Sequence, residues 1–101
     1  VFGQSADTLV HLVGGFGMGP IDDNDAPALW DKMIAVNLLS SFHCYRAMIP
    51  TLKKRGGGWI VGLGARAAVS PSAKMAAYAA SKAGLVALTQ SLSAEVRDHE
   101  I

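Results

Sequence analysis

The spacing of apolar positions changes along the chain, and each spacing predicts a different element. Two short runs are continuously apolar, TLVHLV at residues 8–13 and WIVGL at residues 59–63. Such runs are typical of strands in a parallel sheet that are buried on both faces. Glycines or small residues follow each run, which favours a strand that ends in a loop.

Two longer segments repeat their apolar residues at helical spacing. The first covers about residues 26–54, where Asp25 can cap the helix and Pro27 suits its first turn. Pro50 is expected to kink or end this helix locally. The second covers about residues 75–98. Its apolar stripe consists of Leu85, Leu88, Leu92 and Val96.

The order strand, helix, strand, helix predicts one α/β domain over residues 1–101, with parallel strands and a right-handed crossover. Two strands alone leave both edges of a sheet open, so we expect further structure to cover them. The chain starts at Val1 and ends at Ile101 directly after a helical pattern. Both ends are therefore interpreted as cut.

Composition narrows the possible functions. Half of the residues are hydrophobic and 17% are charged, which supports a packed core. The formal net charge of +1 gives no reason to expect nucleic acid or an anionic membrane as partner. No run approaches the roughly 20 apolar residues of a membrane helix. The lone Cys44 favours a reducing, cytoplasmic setting.

Metal binding is not expected. The three histidines lie on different predicted elements, without pairs at ligand spacing. For His11, in the first strand, a structural hydrogen bond is the favoured interpretation.

The candidate chemistry lies in Tyr78-Ala-Ala-Ser-Lys82. Residues four apart share one face of a helix, so the phenol and the ammonium are neighbours. A phenol is a poor base at neutral pH, and a nearby ammonium favours the phenolate. The pair could therefore exchange a proton with an alcohol or a carbonyl. An amphipathic helix that carries Tyr and Lys by chance has the same spacing, and the spacing alone does not separate the two.

The surrounding stretch, AAYAASKAGLVALTQSLSAEV, resembles the active-site helix of the short-chain dehydrogenase/reductase family. Three further stretches resemble the family in the same order: TLVHLVGG, the helix with Trp30, Val36 and Asn37, and GGGWIVGLGA. The resemblance implies a partial Rossmann-like fold. The complete fold has three layers, with helices on both sides of the sheet (α/β/α). The resemblance also implies hydride transfer between NAD or NADP and a small-molecule carbonyl, imine or quinonoid substrate.

Residue by residue, the resemblance implies that Tyr78 gives or takes the proton and that Lys82 holds the nicotinamide ribose. Asn37 would position a water that links Lys82 to solvent. Gly14 and Gly15 would border the ribose of the cofactor. Considered without the family, Asn37 is equally well a buried amide that neighbouring backbone satisfies.

Two departures from the family pattern weaken the expected activity. The serine that polarises the substrate carbonyl stands thirteen positions before the tyrosine, where this chain has Ala65. Ser70 and Ser72 follow in the next loop, and one of their hydroxyls could reach the place of the missing serine. Ala65 lies in the string GARAA (residues 64–68). This string is similar to dihydropteridine reductase, a branch of the family that works without this serine.

The second departure concerns the pyrophosphate of the cofactor. The glycines at 14, 15, 17 and 19 do not fit G-x-G-x-x-G, so this loop is a weak phosphate cradle. The 101 residues alone are therefore expected to be inactive.

A rival hypothesis is a non-catalytic piece of the fold that associates with itself. The two helices resemble those that build the subunit interface of the family. A homo-oligomer through these helices is expected under either hypothesis. The sequence does not choose between NAD and NADP.

Overall fold

The computed structural model describes residues 6–101. Its strands are β1 (Thr8–His11) and β2 (Trp59–Gly62). Three helical segments join them without a break: α1 (Ala26–Met33), the π-helix Ile34–Leu39 and α2 (Ser40–Arg55). After β2 come a 3₁₀ turn (Arg66–Ala68), the helix α3 (Ala76–Val96) and a last 3₁₀ turn (Arg97–His99).

The two strands pair in parallel, with Thr8 opposite Trp59 and His11 opposite Gly62. Parallel strands need a crossover, and the long helix between them provides it. The predicted α/β class with a parallel sheet is confirmed. Both strands are shorter than the apolar runs that predicted them, because pairing stops at His11 and Gly62.

Only one face of this sheet is covered. On the helix side, His11 is 4% exposed, whereas the side chains that point the other way remain open to solvent. These open side chains are Val10, Leu12, Trp59, Val61 and Leu63, which are 48–71% exposed. The expectation that both faces are buried is therefore wrong for residues 6–101, because all of the described helices pack on one side.

The start of the long helix differs from the expectation. Pro27 lies in the first turn as predicted, and Asp25 occupies the N-cap position. The side chain of Asp25 makes no capping hydrogen bond, so its expected role is wrong. Backbone bonds form the turn instead, with Ala26 N donating to the carbonyl of Asp23 at 3.0 Å.

The helix also does not end at Pro50, because α2 continues to Arg55. A proline removes one N–H from the ladder, and the carbonyl that loses its donor belongs to Arg46, an exposed residue that water can reach. The end comes at Gly56, whose φ of 94° is left-handed. Its N–H and that of Gly57 donate to the carbonyl of Leu52 at 3.1 and 3.0 Å.

The core lies where the long helix packs on α3. Its most buried apolar side chains are Met33, Tyr45, Leu52, Leu85 and Val96. Gly84 lets the π-helix approach closely, since a Cβ at that position would lie 2.9 Å from Leu38 Cδ2. In residues 6–101 we find no helix with both the length and the apolar character needed to cross a membrane.

Candidate active site

The candidate site lies at the carboxyl ends of both strands. Gly14 follows β1, and Leu63 follows β2 directly. In open α/β sheets this edge is where ligands bind. The helix α3 contributes Tyr78 and Lys82, and the Nζ of Lys82 donates to the carbonyl of Leu63 at 3.2 Å. The structure therefore brings the predicted pair to the edge where the carboxyl ends of the strands lie.

Asn37 lies in the π-helix and is fully buried. Its Oδ1 accepts from the N–H of Gly15 at 2.8 Å, and its Nδ2 donates to the carbonyl of Gly15 at 3.0 Å. The same Nδ2 also donates to Ser81 Oγ at 3.0 Å. We call this set of bonds the Asn37 clamp, because it ties the loop after β1 to α3. The amide is thus satisfied mainly by backbone, while the expected water-positioning role stays a prediction.

Lys82 is 4% exposed, which is unusual for an ammonium group. Desolvation by burial holds the pKa of Lys82 below its usual value of 10.5. Among the described residues, one of its three protons has a protein acceptor, the carbonyl of Leu63. The other two protons of the ammonium have no hydrogen-bond acceptor among the described residues.

Tyr78 is half-buried in the first turn of α3. The ring of Phe16 meets it edge to face, with centroids 4.9 Å apart. Phe16 itself is 58% exposed, so one aromatic wall beside the phenol remains open to a ligand. Sequence reasoning did not place Phe16 in the site, although an aromatic directly after two glycines was a usable signal.

The glycines after β1 permit close contacts. A Cβ at Gly14 would lie 2.9 Å from Asn37 Oδ1 and 3.3 Å from Lys82 Nζ. A Cβ at Gly15 would lie 3.3 Å from Val36 Cγ2. This part of the loop therefore approaches the site more closely than a larger residue allows. Direct cofactor contact by Gly14 and Gly15 stays a prediction.

Ala65 has extended backbone and offers only a methyl group. Ser70 and Ser72 are exposed and line a depression of about 360 Å³ that also contains Arg66. The lining of this depression does not include Tyr78. The replacement of the missing hydroxyl by Ser70 or Ser72 stays a prediction.

His11 makes the kind of structural contact that the sequence suggested. Its Nε2 lies 3.3 Å from Ser40 Oγ, and Ser40 Oγ donates to the carbonyl of Val36 at 2.7 Å. Within residues 6–101, no three metal-ligating side chains lie close enough together to hold an ion.

Comparison with known proteins now identifies the family. A family model described as "short chain dehydrogenase" matches residues 3–101. The chain belongs to the short-chain dehydrogenase family. Among its relatives, a D-beta-hydroxybutyrate dehydrogenase of Rhizobium meliloti (strain 1021) is 39% identical over 93 residues, which is 92% of this chain and 36% of the relative. The short chain dehydrogenase ausX of Aspergillus calidoustus is 35% identical over 92 residues, which is 91% of this chain and 36% of the relative.

A solved structure of the family has the same fold. It is a 7α-hydroxysteroid dehydrogenase complexed with NADH and 7-oxo glycochenodeoxycholic acid, with a TM-score of 0.85 and 30% identity. The match covers 94% of this chain and 36% of that one. The short-chain dehydrogenase chain described here therefore spans a little over a third of the length of these relatives.

The contacts of Gly14 lead to a first prediction. Gly14→Ala should lower the free energy of unfolding by about 1–3 kcal/mol, because the new Cβ forces Asn37 Oδ1 to move. Thermal and urea unfolding measure the change. Gly19→Ala in the same loop is the control, since its Cβ would meet Leu29 Cδ2 at an ordinary 3.9 Å. Equal losses in both variants would contradict the close contact at Gly14.

A second prediction follows from the buried ammonium of Lys82. Lys82→Met should raise the free energy of unfolding at neutral pH, because it removes a desolvated charge at similar side-chain length. In the protein without this substitution, the pKa of Lys82 is lower in the folded state than in the unfolded state. The unfolded state therefore binds more protons between these values, and stability rises with pH up to about 10.5.

The Met variant should lack this rise, so the stability difference between the two proteins should shrink as the pH approaches that value. Unfolding at a series of pH values tests it. Lys74→Met, at an exposed position of the loop before α3, is the control. A Lys82→Met variant that is less stable at neutral pH would contradict the desolvation argument.

Proposed function

We propose that this chain carries the proton-transfer part of an NAD(P)-dependent oxidoreductase, in which hydride passes to or from a carbonyl, imine or quinonoid substrate. The observation that carries the proposal is the buried ammonium of Lys82, one helical turn from Tyr78 at the carboxyl ends of two parallel strands. Family membership supports the same reading, and the NADH complex of the similar 7α-hydroxysteroid dehydrogenase supports a nicotinamide cofactor.

The residues present fit the nicotinamide-ribose end of such a cofactor. Ribose hydroxyls are acceptors as well as donors, and Lys82 has two protons free for them within the described site. The backbone of Gly14 lies against this ammonium, since a Cβ there would be 3.3 Å from Lys82 Nζ. When bound, the nicotinamide would supply or accept the hydride. The glycines at 14, 15, 17 and 19 do not have the G-x-G-x-x-G spacing of a pyrophosphate-binding turn.

The proton moves at the hydroxyl of Tyr78. In reduction this hydroxyl donates to the substrate oxygen or nitrogen, and in oxidation the phenolate accepts the proton. Lys82 lies one helical turn from Tyr78, and burial limits the screening of its ammonium by water. Asn37 contributes by holding the loop after β1 in place, and we retain a water beside it as part of the proposal.

The substrate must react without a hydrogen bond from position 65. A methyl group at Ala65 cannot polarise a carbonyl, so a quinonoid or already polarised substrate suits this site best. A resemblance of GARAA to dihydropteridine reductase, which the sequence suggested, is part of the same proposal. NAD and NADP are equally compatible with the described residues. The lone Cys44 keeps a reducing, cytoplasmic setting within the proposal.

We also propose that two copies associate through the groove between α2 and α3. The groove has a volume of about 330 Å³, and its apolar lining includes Phe42, Ile49, Leu88 and Leu92. Arg46 and Glu95 lie in the same lining with opposite charges. In the dimer that we propose, a two-fold axis places Arg46 of one copy opposite Glu95 of the other. The rival hypothesis, a purely structural protein that associates with itself, accounts for this surface. It does not account for the buried lysine.

Tyr78→Phe tests the acid/base assignment. In the product of the whole gene, it should lower kcat for NAD(P)H-dependent reduction by about 10²–10⁴-fold, because the phenyl ring has no proton to give. Tyr45→Phe is the matched control, since Tyr45 is buried against α3 and its hydroxyl bonds Thr89. Steady-state kinetics of both variants, with unfolding curves, provide the comparison. Undiminished turnover in Tyr78→Phe would remove the tyrosine from the mechanism.

A charge exchange tests the association. Arg46→Glu and Glu95→Arg should each raise the dissociation constant of the dimer by at least about tenfold, and the double variant should restore it. Analytical ultracentrifugation at several protein concentrations gives the constants. A monomeric parent protein, or a double variant no better than either single one, would exclude this interface.

A further inference from the structure

We propose that Ser81 is a positioning residue of the site, which fixes the backbone of Tyr78 against the Asn37 clamp. This inference rests on the proposed function, since it concerns the placement of the same tyrosine. Ser81 is fully buried and lies between the two residues of the pair, three positions after Tyr78 and one before Lys82.

The hydrogen bonds of Ser81 have a fixed direction. Its hydroxyl donates its only proton to the carbonyl of Tyr78 at 2.7 Å. Its oxygen can then only accept, and it does so from Asn37 Nδ2 at 3.0 Å. Because Ser81 has no exposed surface, water has no ready access to replace either bond. The hydroxyl is therefore the single link between the Asn37 amide and the Tyr78 backbone that the described residues provide.

This link joins three parts of the fold at one atom. Asn37 is bound to the backbone of Gly15, so the chain of bonds begins in the loop after β1. It passes through the π-helix and ends at the carbonyl of Tyr78 in the first turn of α3. In an α-helix that carbonyl also accepts the N–H four residues on, which is the N–H of Lys82. A shift of Ser81 would therefore move both members of the pair relative to the loop.

The same helix provides a matched comparison at Thr89, two turns further on. Thr89 Oγ1 donates to the carbonyl of Leu85 at 2.8 Å and lies 3.2 Å from the hydroxyl of Tyr45. It too links α3 to the long helix through a side-chain hydroxyl. Its partners lie in the core, away from Tyr78 and Lys82. A merely structural role for Ser81 would make Ser81 and Thr89 equivalent.

The experiment compares Ser81→Ala with Thr89→Val in the product of the whole gene. Fluorotyrosine is incorporated, and the fluorine NMR resonances of the two tyrosines are assigned with Tyr78→Phe and Tyr45→Phe. Ser81→Ala should shift the Tyr78 resonance and leave that of Tyr45 in place. Thr89→Val should do the reverse. Melting temperatures of all variants show how much each hydroxyl contributes to folding.

Kinetics provide the second measurement. Misplacement of a reacting group by about 1 Å costs up to about 10²-fold in rate, so Ser81→Ala should lower kcat by about tenfold or more and change KM less. Ser81→Cys retains a weak donor and acceptor of similar size and should fall in between. Thr89→Val should keep kcat within about threefold of the parent protein, as expected for a change remote from the reacting atoms.

The inference is overturned if Ser81→Ala leaves the Tyr78 resonance unmoved. It is also overturned if both variants lose equal melting temperature and equal kcat, because Ser81 would then be structural only. If the parent protein shows no turnover with NADH or NADPH, the proposed function fails instead. The fluorine resonances would still decide whether Ser81 positions Tyr78.

Discussion

The site depends on one buried amide. Asn37 makes two hydrogen bonds to Gly15 and one to Ser81, and it has no exposed surface. A buried amide that loses partners costs about 1–3 kcal/mol for each unsatisfied group, so the three parts of the chain that meet there are held together. The loop after β1 then has a fixed distance from α3. At that distance, a Cβ at Gly14 would lie 3.3 Å from Lys82 Nζ, and the position therefore favours glycine.

Lys82 is a locally unfavourable group, because its ammonium is buried. An ammonium with one protein acceptor destabilises the folded state, and the lowered pKa of Lys82 expresses this destabilisation. The core of the long helix and α3, with Met33 and Leu85 among its most buried residues, offsets it. Functional sites commonly retain such locally unfavourable groups. In a protein with only a structural role, a leucine or methionine at position 82 would fit the same surroundings.

Much of the architecture could be predicted from the sequence, because apolar periodicity reports directly which elements form and in which order. The neighbourhood of Tyr78 and Lys82 was also predictable, since both lie on one helix at a spacing of four. Contacts between elements were not. Ser81 was visible only as a polar residue within a helix, and its bond to Asn37 joins positions 44 apart. No periodic pattern encodes such a contact.

The errors have local causes. Asp25 was expected to cap the helix by its residue type, but backbone bonds of the preceding turn satisfy the first N–H groups instead. Pro50 does not end the helix, and the departure from α-helical hydrogen bonding lies at Ile34–Leu39. That departure has a consequence for how this site tolerates change. Backbone bonds in a π-helix run to the fifth residue along rather than the fourth, so this turn holds one residue more than an α-helix does. The extra residue shifts the register of the side chains around it, and Asn37 lies in this turn. The site is therefore encoded by the number of residues between its parts as well as by their identity.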